Sequence, residues 1–300
     1  MKYAAVIGTF DGLHRGHAAL LNSLRHIAAD NGLLSMAVTF DRHPLSLINP
    51  EAAPQLLDDN DERIARLERE VDRVLVLEFS PQLRQMPAAD FLRLLADKGV
   101  AILIMGYDTR FGADMPADLQ EYHKAAQRAG IRIVNIDDAV CHSDSAATIA
   151  SSAIRAAVAG GDLALANDML GHPYQVSGTV VSGRHQGRLL VFPTANIRPA
   201  AGRLVPAPGV YAALAHTDSG TALPAMVNIG TCPTFNCGNA TQTIEAHLIG
   251  FNADIYGKRL SLDFIQRIRA ERRFDSPEAL AEQLKMDRET VLQTLKNYYK

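Results

Sequence analysis

Residues 8–17, GTFDGLHRGH, decide the fold of the first half of this chain. The apolar run 3–7 before them has the composition of a buried strand, and apolar residues with helical spacing follow from residue 18. A glycine-rich segment between a strand and a helix lies where parallel α/β sheets bind ligands. The N–H groups that open the helix, together with the imidazoles of His14 and His17, predict a site for an anion such as phosphate.

The pattern of residues 1–170 predicts a Rossmann-like α/β domain with a parallel sheet. Apolar runs typical of strands alternate with segments of helical periodicity, as in βαβ units. The further predicted strands are 33–40, 73–77, 101–105 and 131–136, and the predicted helices lie near 61–70, 88–98, 116–129, 151–159 and 162–170. Residues 171–173, GHP, break this pattern, so we place the domain boundary between residues 170 and 171.

Residues 171–300 have a different rhythm that predicts a small antiparallel β-barrel. Short alternating runs follow one another without helices between them. These runs are 175–181, 210–216, 223–229, 242–249 and 259–265. Ser276 followed by Pro277 predicts the start of a helix, and Asp287 predicts the N-cap of a second helix that runs to the C-terminus.

Composition narrows the classes of function. With 300 residues, 47% of them hydrophobic, the chain is long enough for two domains. The net charge is 30 − 33 = −3 without a long basic run, which argues against nucleic acid or an anionic membrane as a partner. The three cysteines form no Cys-x-x-Cys pair, and no segment predicts a signal peptide or a membrane span. We therefore expect a cytoplasmic protein that acts on small molecules.

The two histidines of residues 8–17 allow more than one interpretation. Neither the dinucleotide-binding fingerprint nor the P-loop motif occurs, so a nucleotide would be held in another way. A helix cap and half of a zinc site are the alternatives, although no third zinc ligand is evident. Residues 149–155, IASSAIR, place two hydroxyls and one arginine at a helix start, where they would grip phosphates or form an ordinary serine cap beside a solvated arginine.

These two segments together resemble the adenylyltransferase half of the bacterial bifunctional riboflavin kinase/FMN adenylyltransferases. Residues 39–44, TFDRHP, and 106–112, GYDTRFG, are similar to further segments of that family. The resemblance implies that the phosphate of FMN attacks the α-phosphorus of ATP and releases pyrophosphate. It also implies roles for particular residues: His14 and His17 at the phosphates, Gly8, Phe10, Asp11 and Gly16 in the nucleotide loop, Ser151, Ser152 and Arg155 at the leaving pyrophosphate, and Asp108, Arg110 and Arg269 at the flavin.

The second half contains a weaker signal in residues 193–196, PTAN. Thr194 and Asn196 share a face of an extended strand and would offer oxygen ligands to Mg²⁺, or they would simply begin a strand at the surface. Glu245 lies on the polar face of the run 242–249, where a carboxylate is either catalytic or only solvated.

A series of motifs resembles the riboflavin kinase half of the same family. The motifs occur in the family's order: PTAN at 193–196, GVY at 209–211, NIG at 228–230, EAHL at 245–248, YGK at 256–258 and RAERRF at 269–274. The resemblance implies a six-stranded barrel with terminal helices, in which Thr194 and Asn196 serve Mg·ATP, Gly187 and Arg188 contact the nucleotide, and Glu245 is the base at the ribityl 5′-hydroxyl.

The leading hypothesis is a two-domain enzyme that phosphorylates riboflavin and adenylylates FMN, using ATP and Mg²⁺ in both steps. One alternative keeps only the kinase active, because several positions of the first half depart from the family pattern; these are Arg42, Thr109, Met115, Ala117 and Ala150. In the kinase half, Val191 and Cys232 depart from that pattern. The other alternative is a sensor that binds flavin or nucleotide without catalysis.

Overall fold

The computed structural model describes residues 1–106, 109–115, 118–135, 149–182, 194–217, 220, 222–232 and 241–299. Asp108, Gly187 and Arg188 of the predicted sites lie outside these residues, as do Ala117 and Val191. Contacts divide the chain into two compact units, one formed by Met1–Pro54 and Asp59–Ala150 and the other by Gln55–Asp58 and Ser151–Lys300. The predicted domain boundary at residues 170 and 171 stays a prediction.

The first unit is built on a parallel sheet of five strands. Its elements are β1 (Tyr3–Ile7), α1 (Arg15–Asp30), β2 (Leu34–Phe40), α2 (Leu45–Ile48), a 3-10 turn (Pro50–Ala52), α3 (Asn60–Glu70), β3 (Arg73–Leu77), α4 (Pro81–Arg84), α5 (Ala88–Asp97), β4 (Val100–Met105), α6 (Leu119–Arg128) and β5 (Arg132–Asn135). The strand order is β3-β2-β1-β4-β5, with every adjacent pair parallel. The predicted α/β class is confirmed.

Both faces of this sheet are buried, which explains why its strands are almost continuously apolar. On one face, Leu21 and Leu24 of α1 and Leu67 of α3 pack against the sheet. On the other face, Leu92 of α5 and Tyr122 of α6 do so. The strand order reverses at β1, which pairs with β2 on one side and β4 on the other. The segment after β1 therefore occupies the position where open α/β sheets bind ligands.

The second unit contains a closed antiparallel barrel of six strands in the order β10-β7-β6-β11-β8-β9. Its elements are α7 (Ser151–Gly160), α8 (Leu163–Leu170), β6 (Tyr174–Val181), β7 (Ala195–Pro199), β8 (Gly209–His216), β9 (Ala222–Cys232), β10 (Thr241–Leu248), β11 (Arg259–Arg269) and α9 (Pro277–Tyr298). The predicted barrel is confirmed.

The C-terminal segment forms one long helix, so the prediction of two terminal helices after residue 275 is wrong. Ser276 does cap this helix, accepting a hydrogen bond from the N–H of Ala279 at 3.2 Å, with Pro277 in the first turn. Asp287 lies in the helix interior and is buried, and it accepts hydrogen bonds from Arg269. Because the carboxylate of Asp287 already accepts hydrogen bonds from Arg269, it does not cap a helix.

Helix α9 packs on the outer face of the barrel. Val291 and Leu295 of this helix join Val210, Ala212 and Met226 of the strands in one apolar cluster. Across the described ranges of the chain, no helix is both long enough and apolar enough to cross a membrane.

Candidate active sites

The loop after β1 ends in a pair of stacked histidines. His14 is the N-cap of α1, and its Nδ1 accepts a hydrogen bond from the N–H of His17 at 3.3 Å. The two rings lie 3.7 Å apart between centroids, at an interplanar angle of 18°. The histidine pair therefore does form a helix cap, one of the interpretations that the sequence left open. The cap also holds both imidazoles at the positive end of a helix, where anions are stabilised.

Burial sets the charge of His17. It lowers the pKa of His17 well below its usual range, and the neighbouring His14 lowers that pKa further. Nδ1 of His17 is buried and has no hydrogen-bond partner among the described residues. His17 is thus a neutral imidazole at pH 7, able to donate one hydrogen bond without carrying a permanent buried charge.

The backbone before the histidines is strained. Phe10 and Leu13 have φ of +51° and +35°, in the left-handed region that side chains disfavour. Such conformations cost on the order of 1–3 kcal/mol each and persist where surrounding contacts impose them. Phe10 is buried, and its ring meets that of His17 edge to face at 5.3 Å between centroids. The strained turn thereby packs an aromatic ring against the histidine.

The other predicted nucleotide-loop residues fit closely around this turn. Gly8 follows β1 directly and donates its N–H to the carbonyl of Val38 at 3.1 Å. Asp11 is buried. Gly16 lies so near His14 that an added Cβ would be 3.1 Å from Nδ1 of that ring, and 3.7 Å from the carbonyl oxygen of Ile149. The chain therefore passes beside this loop two residues before α7 begins.

Ser151, Ser152 and Arg155 lie in the first half of α7, which belongs to the second compact unit. Nε of Arg155 donates to the carbonyl of Gln55 at 2.9 Å. Their contact with a pyrophosphate stays a prediction.

Arg110 lies on the segment that follows β4, the neighbour of β1 in the sheet. Its side chain is exposed, and its Nη1 donates to the carbonyl of Thr109 at 3.0 Å. Thr109, a departure from the family pattern, accepts a hydrogen bond from the N–H of Gly106 through its hydroxyl. Since parallel strands end at the same edge of the sheet, Arg110 and the histidine loop share that edge.

In the barrel, strand register brings Glu245 between two amides. Glu245 of β10 is directly opposite Asn196 of β7 on one side and Asn228 of β9 on the other. Residues that are directly opposite in antiparallel pairs share a face, with Cβ atoms roughly 4.5–5.5 Å apart. Because the flanking pair Ile244 and Ile229 is buried, the polar row formed by Asn196, Glu245 and Asn228 lies on the outer face of the barrel. Thr194 lies one residue before β7, and its place on the same face stays a prediction from alternation.

Sequence reasoning assigned no role to Asn228, or to Glu271 and Thr243 nearby. A Cβ added to Gly230 would lie 2.8 Å from Oε1 of Glu271, and 3.5 Å from both Nδ2 of Asn228 and Oγ1 of Thr243. Because Gly230 has no side chain, there is room at this position for the polar groups of Glu271, Asn228 and Thr243. Alternation within 222–232 predicts that Asn228 and Gly230 share a face, but only the strand register identifies Glu245 as their neighbour.

Arg269, predicted to contact flavin, is held by an ion pair. Its Nε and Nη2 lie 2.9 and 2.8 Å from Oδ2 of Asp287, and Gln283 donates to Oδ1 of the same carboxylate at 2.6 Å. The guanidinium also lies 5.7 Å from the ring centroid of Phe274. Its orientation is therefore fixed by α9, and its contact with flavin stays a prediction.

Comparison with known proteins identifies both halves. A family model of FAD synthetase matches residues 1–153, and one of riboflavin kinase matches residues 170–295. A bifunctional riboflavin kinase/FMN adenylyltransferase of Pseudomonas fluorescens is 37% identical over 285 residues, covering 94% of this chain and 90% of that protein. The chain belongs to this family. A relative of the same name from Escherichia coli K12 is 36% identical, and one from Bacillus subtilis is 31% identical over the whole chain, covering 90% and 94% of those proteins.

A solved structure has the same fold. The structure, described as a macrolide-efflux protein from Streptococcus pneumoniae, is 29% identical with a TM-score of 0.85, and covers 97% of this chain and 93% of that one. Family membership makes this chain an enzyme that phosphorylates riboflavin to FMN and adenylylates FMN to FAD, with ATP as a substrate of both steps. The two activities of the leading hypothesis are confirmed over the kinase-only and sensor alternatives. The use of Mg²⁺ stays a prediction.

Proposed function

We propose that the two reactions take place at two separate sites, adenylyl transfer at the loop 8–17 and kinase chemistry on the outer face of the barrel at Glu245. The domains would be residues 1–170 and 171–300. The residues of each site would be those to which the sequence assigns a role there. The observation that carries the kinase assignment is the register that sets Glu245 between Asn196 and Asn228.

At the kinase site, Glu245 is the general base. As the 5′-hydroxyl oxygen of riboflavin attacks the γ-phosphorus of ATP, the bond from that phosphorus to the β,γ-bridging oxygen breaks and ADP leaves. The hydroxyl proton passes to the carboxylate. The side-chain amide of Asn228 would orient the carboxylate of Glu245. Such orientation matters because a general base acts only when it lies within hydrogen-bond reach of the proton that it accepts.

The donor set on this face also fits Mg²⁺. Thr194 and Asn196 supply a hydroxyl and an amide oxygen, which are hard ligands of the kind that this cation prefers. Bound Mg²⁺ would supply neutralising charge for the phosphates of ATP, and Gly187 and Arg188 would complete the nucleotide site. No group of three or more His, Cys, Asp or Glu side chains placed to hold a metal ion occurs among the described residues, which is consistent with a site made of neutral oxygen ligands.

At the adenylyl site, a phosphate oxygen of FMN attacks the α-phosphorus of ATP, and the bond to the α,β-bridging oxygen breaks to release pyrophosphate. His14 and His17 would donate hydrogen bonds to the phosphates as negative charge shifts, aided by the N-terminus of α1. Gly8, Phe10, Asp11 and Gly16 would shape the loop, Ser151, Ser152 and Arg155 would hold the pyrophosphate, and Asp108 and Arg110 would contact the flavin.

We infer a cytosolic location because the three cysteines of the sequence form no Cys-x-x-Cys pair and are odd in number.

The assignment is tested with two substitutions in the full chain. Glu245→Gln should lower kcat for FMN formation about 10²–10⁴-fold, because it removes the base, while sparing FAD formation from supplied FMN. His17→Ala should lower FAD formation about 10²–10³-fold and spare the kinase. Chromatography of the products from separate riboflavin and FMN feeds measures both rates. A swapped outcome would contradict the assignment of sites to reactions.

A further inference from the structure

A buried arginine lies behind the adenylyl loop and plays no part in the assignments above. Arg63 of α3 is only 6% exposed. Its Nη1 donates to the carbonyl of Thr9 at 2.6 Å and to the hydroxyl of Thr39. Its Nη2 donates to the carbonyl of Phe40 at 2.6 Å and to Oδ1 of Asn60 at 2.8 Å. One guanidinium thus joins the carboxyl ends of β1 and β2 to α3.

We propose that Arg63 is a positioning residue for adenylyl transfer, which acts by fixing the turn that sets His17. The proposal rests on the assignment of His17 to the adenylyl site.

The path from Arg63 to His17 is short and consists of direct contacts. The carbonyl that Arg63 holds belongs to Thr9, the residue before Phe10. Phe10 has a left-handed backbone and a buried ring that contacts the imidazole of His17. A strained turn of this kind relaxes unless other contacts impose it, and the hydrogen bond at Thr9 fixes the peptide that enters it.

The chemistry of the side chain explains why an arginine is suited to this place. Its planar guanidinium presents several N–H donors in a rigid fork, so one buried group can bind acceptors in the loop after β1, on β2 and on α3 at once. A lysine would keep the charge but present it as a point on a flexible chain. A buried cation is costly unless hydrogen-bonded, so the hydrogen bonds that Arg63 donates to Thr9, Thr39, Phe40 and Asn60 are consistent with a fixed position.

The test compares Arg63→Lys, Arg63→Met and the matched control Arg69→Gln, which alters an exposed arginine on the same helix. We expect kcat for FAD formation from FMN to fall about 100-fold in Arg63→Met, the usual effect of misplacing a catalytic group by about 1 Å. We expect a fall of about tenfold in Arg63→Lys, with smaller changes in KM, since loss of a hydrogen bond to a charged group has roughly that effect. Riboflavin kinase activity of the same preparations should not change.

A purely structural role would lower stability without changing kcat of the folded enzyme. Two further measurements therefore accompany the kinetics: thermal melting, and the NMR resonances of the His17 ring, which the ring of Phe10 shifts. The resonances should move in Arg63→Lys and not in Arg69→Gln. If Arg63→Met does not fold, Arg63→Lys decides the question. Unchanged kcat and unmoved His17 resonances in a folded Arg63→Lys would overturn the proposal.

A parallel His17→Ala variant separates this inference from the site assignment. If His17→Ala keeps full FAD formation, the assignment of His17 itself is wrong, and with it the proposal for Arg63. If His17→Ala loses FAD formation while Arg63→Lys keeps it, only the positioning role is overturned.

Discussion

His14 caps α1 and His17 lies in its first turn, with the two rings stacked, so each imidazole shields part of the other from water. Burial and this neighbour hold the pKa of His17 well below its usual range. A neutral donor at a phosphate site has a physical advantage, because the empty site then carries no buried charge and still offers an N–H to the ligand. The helix N-terminus adds the remaining attraction for the anion.

The low pKa of His17 predicts how stability depends on pH. In the unfolded chain His17 takes up a proton near pH 6.5, whereas in the folded protein it stays neutral to a lower pH. Below about pH 6.5 the unfolded state binds more protons, so the free energy of unfolding decreases as pH falls, by at most about 1.4 kcal/mol per pH unit. Urea unfolding between pH 7.5 and 5 should give a shallower decrease in His17→Asn.

The control for this pH series is His26→Asn, which removes an exposed imidazole from the same helix. Equal slopes in the wild type and in His17→Asn would contradict the neutral state of His17 in the folded protein.

Among the elements, α9 supports one side of the outer face of the barrel, the face on which Glu245 lies. It contributes Val291 and Leu295 to the outer cluster and Asp287 to the ion pair with Arg269. Arg269 ends β11, one of the two strands that neighbour β8, and the segment leading to Glu271 starts from it. The carboxylate of α9 thus fixes the segment that carries Glu271 to Gly230.

Breaking this ion pair should affect both stability and substrate binding. In Asp287→Ala, Arg269 loses its partner, and the free energy of unfolding of the barrel should fall by about 3 kcal/mol, the low end for a buried pair that loses one member. Riboflavin KM should rise more than kcat falls, because Glu245 is untouched. Urea unfolding and steady-state kinase assays measure these effects.

Glu289→Ala, an exposed position on the same helix, serves as the control and should change stability by less than about 0.5 kcal/mol. An Asp287→Ala variant with unchanged riboflavin KM would show that the ion pair is structural only.

The elements also show what local pattern predicts and what it does not. The alternation of strands and helices in 1–170, and the cap at Ser276, follow from periodicity and backbone hydrogen bonding that short segments contain. The prediction of a cap at Asp287 is wrong because local sequence does not distinguish an aspartate that caps a helix from one that pairs with a distant arginine. The row of Asn196, Glu245 and Asn228 depends on the register of three strands, which the pattern within each strand does not fix. Arg63 could not be found either, since its acceptors are up to 54 residues away.

At the scale of the whole molecule, two compact units each have their own hydrophobic core. The family models divide the chain in a similar way, with FAD synthetase at 1–153 and riboflavin kinase at 170–295. FMN, the product of the second unit, is the substrate of the first. The loop 8–17 and the strand that carries Glu245 belong to different units, so FMN need only dissociate and bind again for the two reactions to follow one another.

Because the two sites are separate, a mixture of two full-length variants, each inactive at one site, should restore the conversion of riboflavin to FAD. His17→Ala keeps the kinase site and Glu245→Gln keeps the adenylyl site, so neither variant alone should convert riboflavin to FAD. Their mixture should do so after a lag, while FMN accumulates in solution. Product chromatography over time, with an excess of an FMN-binding protein as a trap, measures this.

If FMN passed within one chain, its effective concentration would be on the order of millimolar and a micromolar trap would have no effect on the wild type. We expect the trap to block FAD formation in both the mixture and the wild type, and a mixture that stops at FMN while the wild type continues to FAD would contradict passage through solvent.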